Sequence, residues 1–456
     1  MADFAEKYRT EEPNAIVPLY SGPITFRDGD DAATAEGFME LRWLPSPAIC
    51  FSVPEFPRVP FFSGSGGWVG GAPSLAVPGT ISPGSALILD MKMTSRRPPS
   101  ISGILNEAID IGKPSDFASV ELYVVNLDDF RLLGPNRLMI WQTFEWQCEI
   151  RAAEGLGDLK KEIRKTGGYA LTHHLRVSRR DAQTFSSDDV NHITGALYTF
   201  LSFIQGRNVN AILPVAYDDR GEPLWRQWAP WRVDPWQSVE SWADLHRTDY
   251  FGEAFNGFMC LWGDEGWRGV LSTAVHWYVE ANRNASGLEA GVVFTQMALE
   301  LVAWHYLTQH KKAMTKDGFH RLTAADRLRL VLSEHEIPLE LPSALPDLKF
   351  WAGEFNWCDA AEAITNVRNN VVHPEAGHRD KLEASNKNPT RDAWVCGLWL
   401  LELLLLRMFG YTGNYSDRRE EGKFVGSTKP VPWAEWVDEV CGGSDEAPDE
   451  RENSEP

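Results

Sequence analysis

A chain of 456 residues is too long for one ordinary core, and its 43% apolar, 11% aromatic and 24% charged composition excludes a disordered protein. A formal net charge of −20 excludes a surface coated in basic residues, so any RNA site is expected to be a small local pocket on an acidic body. Cys50, Cys148, Cys260, Cys358, Cys396 and Cys441 fall without a Cys-x-x-Cys pair, which speaks against a zinc site and against a disulfide scaffold.

The first residues, Met1-Ala2-Asp3-Phe4-Ala5-Glu6-Lys7, carry neither the basic nor the apolar region of an export signal, and a cytoplasmic protein is expected. Residues 1–165 read as a β-rich domain, a two-sheet sandwich or barrel-like fold. Candidate strands at 24–27, 37–44, 48–53, 85–93, 118–125 and 138–150 are bounded by Gly, Pro, Asp and Ser. The glycine-rich stretch 63–71 lacks a following Gly-Lys-Ser/Thr and meets Pro73, so a loop is expected rather than a phosphate cradle.

Residues 166–245 read as a mixed α/β region packed on the first domain. Ser187-Asp188-Asp189 caps a helix carrying Val190, Ile193, Leu197, Phe200, Leu201 and Ile204, which Gly206 closes. Strands are expected at 208–217 and 224–233, joined by Asp218-Asp219-Arg220-Gly221. Trp225, Trp228, Trp231 and Trp236 are either a stacking platform for a ligand or, as expected here, packing. His173 and His174, neighbours on a strand, point to opposite faces, so a metal site from that pair is not expected.

Residues 246–285 form a helical connector broken at Gly263 and Gly266, and 286–415 a bundle of four helices. The first, to about His310, is apolar on almost every side and hence buried; the others are expected at 323–336, 356–373 and 390–409. Residues 394–406 are short, contain Glu402 and precede Arg407, which argues for a buried bundle helix and no membrane contact. From 416 to 456 the chain is polar and ends acidic, and a largely disordered tail is expected, with Trp433 and Trp436 docking a short helix before it. The fold class is therefore α+β multidomain.

On the third bundle helix Trp357, Ala360, Ala361, Ile364, Val367 and Val371 form a core stripe. At roughly 100° per residue, His373 lies opposite that stripe with Asn369 one turn before it, while Arg368 borders the stripe. Pro374 disfavours helical geometry at His373, placing the imidazole on the last turn beside unsatisfied carbonyls. A guanidinium, a carboxamide and an imidazole then share one helix end: a bidentate phosphate ligand, an orienting group and a proton carrier. The plainer reading is a helix cap, with Arg368 paired to Glu362 or Glu300.

Arg368 and Asn369 followed by His373, on a bundle spanning about 286–411, resemble the Arg-x4-6-His signature of HEPN domains. That resemblance implies a metal-independent endoribonuclease without cofactor, acting on RNA and leaving 2′,3′-cyclic phosphate ends. It implies Arg368, Asn369 and His373 as catalytic residues, Glu300 and Asn370 as supporting ones, and a homodimer whose facing helices make one composite site. The 394–406 helix and the long first helix are expected to supply that interface. The β-rich region followed by such a bundle is similar to the ApeA-like proteins of antiphage defence, which implies a toxin-like abortive-infection effector with a phage-derived trigger at its N-terminal region. The alternatives are a non-catalytic HEPN dimerisation and ligand-binding module, and a hydrolase built on His173 or His174.

Overall fold

Alternation builds the first architecture. The computed structural model describes residues 8, 10, 12–57, 72–92, 98–128, 138–244, 250–283, 287–373, 386–420 and 427–434. The glycine-rich stretch 63–71, residues 284–286, Pro374, Trp436, Cys441 and the acidic end lie outside them. Strand Val17–Asp28 (β1) turns at Gly29, φ +60°, into Asp31–Arg42 (β2), with Ile24 and Phe26 of one strand and Met39 and Leu41 of the other buried in the alternating pattern of a one-sided sheet. Ala48–Val53 (β3), Ser74–Ala76 (β4), Gly84–Lys92 (β6) and Ser100–Leu105 (β7) close the barrel in the order β1-β2-β3-β7-β6-β4, while Thr80–Ser82 (β5) leaves it.

A Cβ at Gly103 of β7 would meet the Leu87 carbonyl oxygen at 2.1 Å and the Ile88 Cα at 2.9 Å. Backbone blocks that space first, with the Phe51 ring at 2.7 Å beside it. Gly103→Ala is expected to destabilise the barrel by about 1–3 kcal/mol, read as a lower urea midpoint; an unchanged midpoint would show that the strands move apart freely.

The same unit contains an eight-stranded sheet in the order β10-β11-β12-β9-β13-β14-β8-β5. Its members are Ile109–Gly112 (β8), Ser119–Val125 (β9), Leu138–Gln142 (β10), Trp146–Ala152 (β11), Leu171–Arg179 (β12), Ala211–Tyr217 (β13) and Pro223–Trp228 (β14). The expected boundary at 165 is therefore not a domain boundary: β9 pairs with β12 on one side and β13 on the other, so both expected regions share one sheet. The 138–150 run is a hairpin, because Thr143 accepts the Trp146 and Glu145 amides and turns the chain. Leu156–Thr166 (α1), which apolar periodicity did not mark, and Ser187–Gln205 (α2), ended by left-handed Gly206, belong to the same unit; the capping box of α2 is Ser186 with Asp189, one residue before the expected Ser187.

Two compact units result, one of Met1–Ser241 with Leu245–Glu265 and one of Trp242–Asp244 with Gly266–Pro456. The expected connector is thus divided. Phe251–Trp262 (α3) belongs to the first unit, where Phe255 packs on Trp141 and Phe200, whereas Glu265–Asn282 (α4) lies almost wholly in the second.

The second unit continues with Gly287–His305 (α5), a π-helical turn Tyr306–His310, Lys316–Arg321 (α6), Ala324–Glu334 (α7), Pro346–Phe355 (α8), Ala360–Val372 (α9) and Pro389–Met408 (α10). From Ala393 to Leu406 every residue of α10 except Trp394 is buried within the unit, which makes it the bundle's central helix. It therefore has no free face with which to supply a dimer interface. Gly397 and Gly291 admit the close neighbours Thr295 and Trp394, within 2.9 and 2.6 Å of where a Cβ would stand.

The expected tail does not begin at 416. Asn414–Tyr415 (β15) pairs with Lys429–Pro430 (β16), and Trp433 is buried, its indole donating to the Tyr411 carbonyl at 2.6 Å. Buried ion pairs, invisible to hydropathy, hold this stretch on the bundle.

Candidate functional site

The motif helix α9 is held firmly at its start. The Asp359 carboxylate caps the Glu362 amide at 2.8 Å, Glu362 caps Cys358, and Arg329 of α7 donates to Asp359 at 2.6 Å. At the other end His373 leaves helical geometry at φ −131° and ψ 70°, its amide still donating to the Asn369 carbonyl at 2.7 Å. Helix termination at His373 follows the expectation, and the imidazole and Asn369 are exposed.

Arg368 differs. It is half-buried, Nη1 donates to Asn369 Oδ1 at 3.1 Å, and Nε is buried with no hydrogen-bond partner among the described residues. The stem follows the buried stripe of Ala361, Ile364 and Val367, with Val371 only half-buried. Arg368 and Asn369 are thus brought together, whereas no bond joins Arg368 to His373 among the described residues. Asn370 is half-buried and engaged. Glu300 is engaged elsewhere than with Arg368: it accepts from Arg327 Nη1 at 3.1 Å and from Gln296 Nε2 at 3.0 Å.

Gln296 was not singled out by sequence. Among the described residues its Oε1 and the Thr365 Oγ1 are buried without a hydrogen-bond partner, as is Arg368 Nε, and they lie on two helices, α5 and α9, that pack together. The legible signal was a polar pair, Gln296 and Glu300, four apart within the mostly apolar run Val292–Val302.

A second polar cluster lies deeper. Glu402, fully buried on α10, accepts from the Tyr278 hydroxyl at 2.6 Å and from Arg418 Nε and Nη2 at 2.9 and 2.5 Å. Burial, then the Glu402 charge, raises the Tyr278 hydroxyl well above its usual range. Beside it Asp417 accepts from Arg419 and Lys429, whose hydrogen bonds outweigh burial and bring it down to about 2. Arg419 also stacks 3.6 Å over Trp399.

Two histidines are held neutral. Burial, then the charges of Arg407, Lys311 and His310, lowers His335 to about 4, and burial, then Lys160, lowers His173 to about 3. The unfolded chain takes up both protons near pH 6.5, so their contribution to stability is complete above that pH and is lost as pH falls toward 4. Thermal midpoints are expected to drop between pH 6.5 and 4.5, by about 2–5 kcal/mol of stability in all. His335→Gln is expected to flatten that slope. A slope unchanged by the substitution would remove His335 from the account.

His173 and His174 are both buried in β12, and the Tyr123 ring stands 4.9 Å from His174. Trp225 and Trp228 are core residues, so they offer no stacking platform. An open groove of about 960 Å³ lies instead between the β10–β11 turn and α3, lined by Ile140, Phe144, Arg180, Glu253, Asn256 and Cys260. Among the described residues no group of three or more His, Cys, Asp or Glu side chains is placed to hold a metal ion. No described helix is long and apolar enough to cross a membrane.

Comparison with known proteins matches residues 264–429 to the model of the YopA C-terminal domain and residues 112–239 to that of the YopA central domain. The first runs from the start of α4 to β16, which includes the docked 414–420 segment. No solved structure matches the chain. Over 439 residues it is 26% identical to a Bacillus subtilis (strain 168) protein described as "SPbeta prophage-derived uncharacterized protein YopA", covering 94% of this chain and 96% of that relative.

Proposed function

We propose that the chain is a metal-independent endoribonuclease of the HEPN type, with Arg368, Asn369 and His373 as its catalytic residues. One observation carries the reading: at the end of α9 the imidazole is exposed where the helix terminates, while the neighbouring guanidinium is hydrogen-bonded to Asn369. Metal-free RNA cleavage removes a proton from a 2′-hydroxyl, protonates the leaving 5′-oxygen and stabilises charge on the phosphoryl oxygens. His373 serves the proton transfers and Arg368 the phosphate.

Because Arg368 and His373 do not meet within one chain, the site is completed by α9 of a second copy. Val372, 41% exposed beside His373, is an apolar contact for that approach, in place of the buried α10. The 2′,3′-cyclic phosphate follows from attack by the neighbouring hydroxyl. The prophage origin in the relative's description supports a phage-related setting, in which the first unit senses a trigger and restrains a toxic nuclease in the cytoplasm.

The second reading is a non-catalytic bundle that dimerises while the first unit binds a ligand. It is favoured by the Arg368 Nε that is buried away from solvent and by the open groove in the first unit. The deciding experiment expresses wild type and the Arg368→Ala/His373→Ala variant and sequences RNA for new 2′,3′-cyclic phosphate ends. New ends from wild type alone are expected; equal ends from both would defeat the nuclease reading.

A further inference from the structure

The first unit contains an interior cluster that the proposed reaction does not use. At the end of β9 Asn126 takes a left-handed conformation, φ 57°, and its carbonyl accepts from Arg207 Nη2 at 2.5 Å. Arg207 follows the Gly206 that ends α2 and is 1% exposed, and the same nitrogen donates to Gln205 Oε1 at 3.2 Å. Lys160 of α1 is buried nearby, and His173 bonds Thr172 at 3.1 Å and senses the Lys160 charge.

Among the described residues, the anionic groups whose charge acts on Arg207 are Asp128 and Asp234. Asp234 Oδ2 is occupied by the Asn208 amide and side-chain nitrogen at 2.8 and 3.0 Å. Asp128, only half-buried, stands 3.8 Å from Arg207 Nη2 and 3.5 Å from Lys160 Nζ, both beyond ordinary N–H···O bond length. Arg207 Nη1 and Gln205 Nε2 are buried with no hydrogen-bond partner among the described residues.

What is unmet here is one-sided. A guanidinium nitrogen and a carboxamide nitrogen only donate, and a buried donor left unmade is costly, more so on a charged group. Water would bring two protons that need acceptors of their own. An oxyanion brings several acceptor oxygens, more than the protons it carries, and offsets the charge of a buried Arg207. From this geometry we infer that Arg207 and Gln205 form a binding site for a small oxyanion, an inorganic phosphate or the phosphoryl group of a nucleotide, with Asp128 as a loose resident counter-ion of Arg207 that the ligand displaces.

The site makes a prediction of opposite signs. On the full chain at constant ionic strength, inorganic phosphate at millimolar concentration is expected to raise the thermal midpoint by a few degrees over chloride. Gln205→Leu, which preserves volume, is expected to weaken phosphate binding at least tenfold by titration calorimetry. Asp128→Asn is expected to tighten it about threefold or more, because the competing carboxylate is gone. Adenosine monophosphate in a parallel titration separates the sources: binding of both assigns a phosphoryl group, binding of phosphate alone assigns the free ion. Arg207→Met is expected to abolish binding, and if it does not fold, the Gln205 and Asp128 variants still decide. No midpoint shift beyond chloride, or phosphate binding that neither Gln205→Leu nor Asp128→Asn changes, would overturn the assignment.

Discussion

Replacing Arg418 with methionine is expected to lower the stability of the second unit by about 3–5 kcal/mol. Glu402 is fully buried and receives two hydrogen bonds from Arg418 and one from Tyr278. Removing the guanidinium leaves a carboxylate in the bundle core with one partner, a larger effect than the loss of methylene packing. Breaking such a pair costs more than the pair contributes, because the survivor keeps its desolvation cost. The discriminating variant is therefore the double one: Glu402→Leu with Arg418→Met is expected to recover most of the loss. Denaturation with tryptophan fluorescence measures both, fitted with separate transitions for the two units. A loss below about 1 kcal/mol for the single variant would mean that water reaches Glu402 once Arg418 is gone.

His373→Ala is expected to slow RNA cleavage by about 10²–10⁴-fold, the usual worth of one positioned proton carrier. The side chain is exposed, so the fold and melting behaviour should remain unchanged. Arg368→Ala is expected to affect cleavage comparably but to cost some stability too, because its stem follows the buried stripe of α9. Mixing the two inactive variants tests the composite site, since a mixed dimer sets one intact Arg368 against one intact His373. Partial recovery of cleavage is expected. A cleavage rate indifferent to His373 would end the nuclease reading, and failure to recover on mixing, with both variants dimeric, would restrict the chemistry to groups within one protomer.

The course of α9 shows how far sequence reasoning carries. Its apolar spacing located the helix and the Pro374 rule located its end, since both depend on neighbours within one or two turns. The same spacing put Arg368 at the edge of the core, where the structure finds it half-buried. Its partner was not legible, because Asn369 competes with every acid that tertiary packing brings near. Glu300 illustrates the competition: it is held by Arg327 of α7, a contact 27 positions away.

Local chemistry by itself determined the existence of α2, the Thr323 cap of α7, the break between α3 and α4, and the buried character of α10, because each rests on residues adjacent in the chain. Tertiary structure alone decided that β9, β12 and β13 belong to one sheet, that the polar 416–420 stretch is part of the bundle, and that Arg207 lies in an interior. In each of these a polar or short segment is ordered by partners distant in sequence. A charged side chain reads as solvent-facing until its buried counter-ion is known, and for Arg418 that counter-ion is Glu402, on the helix whose apolar character was the clearest in the chain.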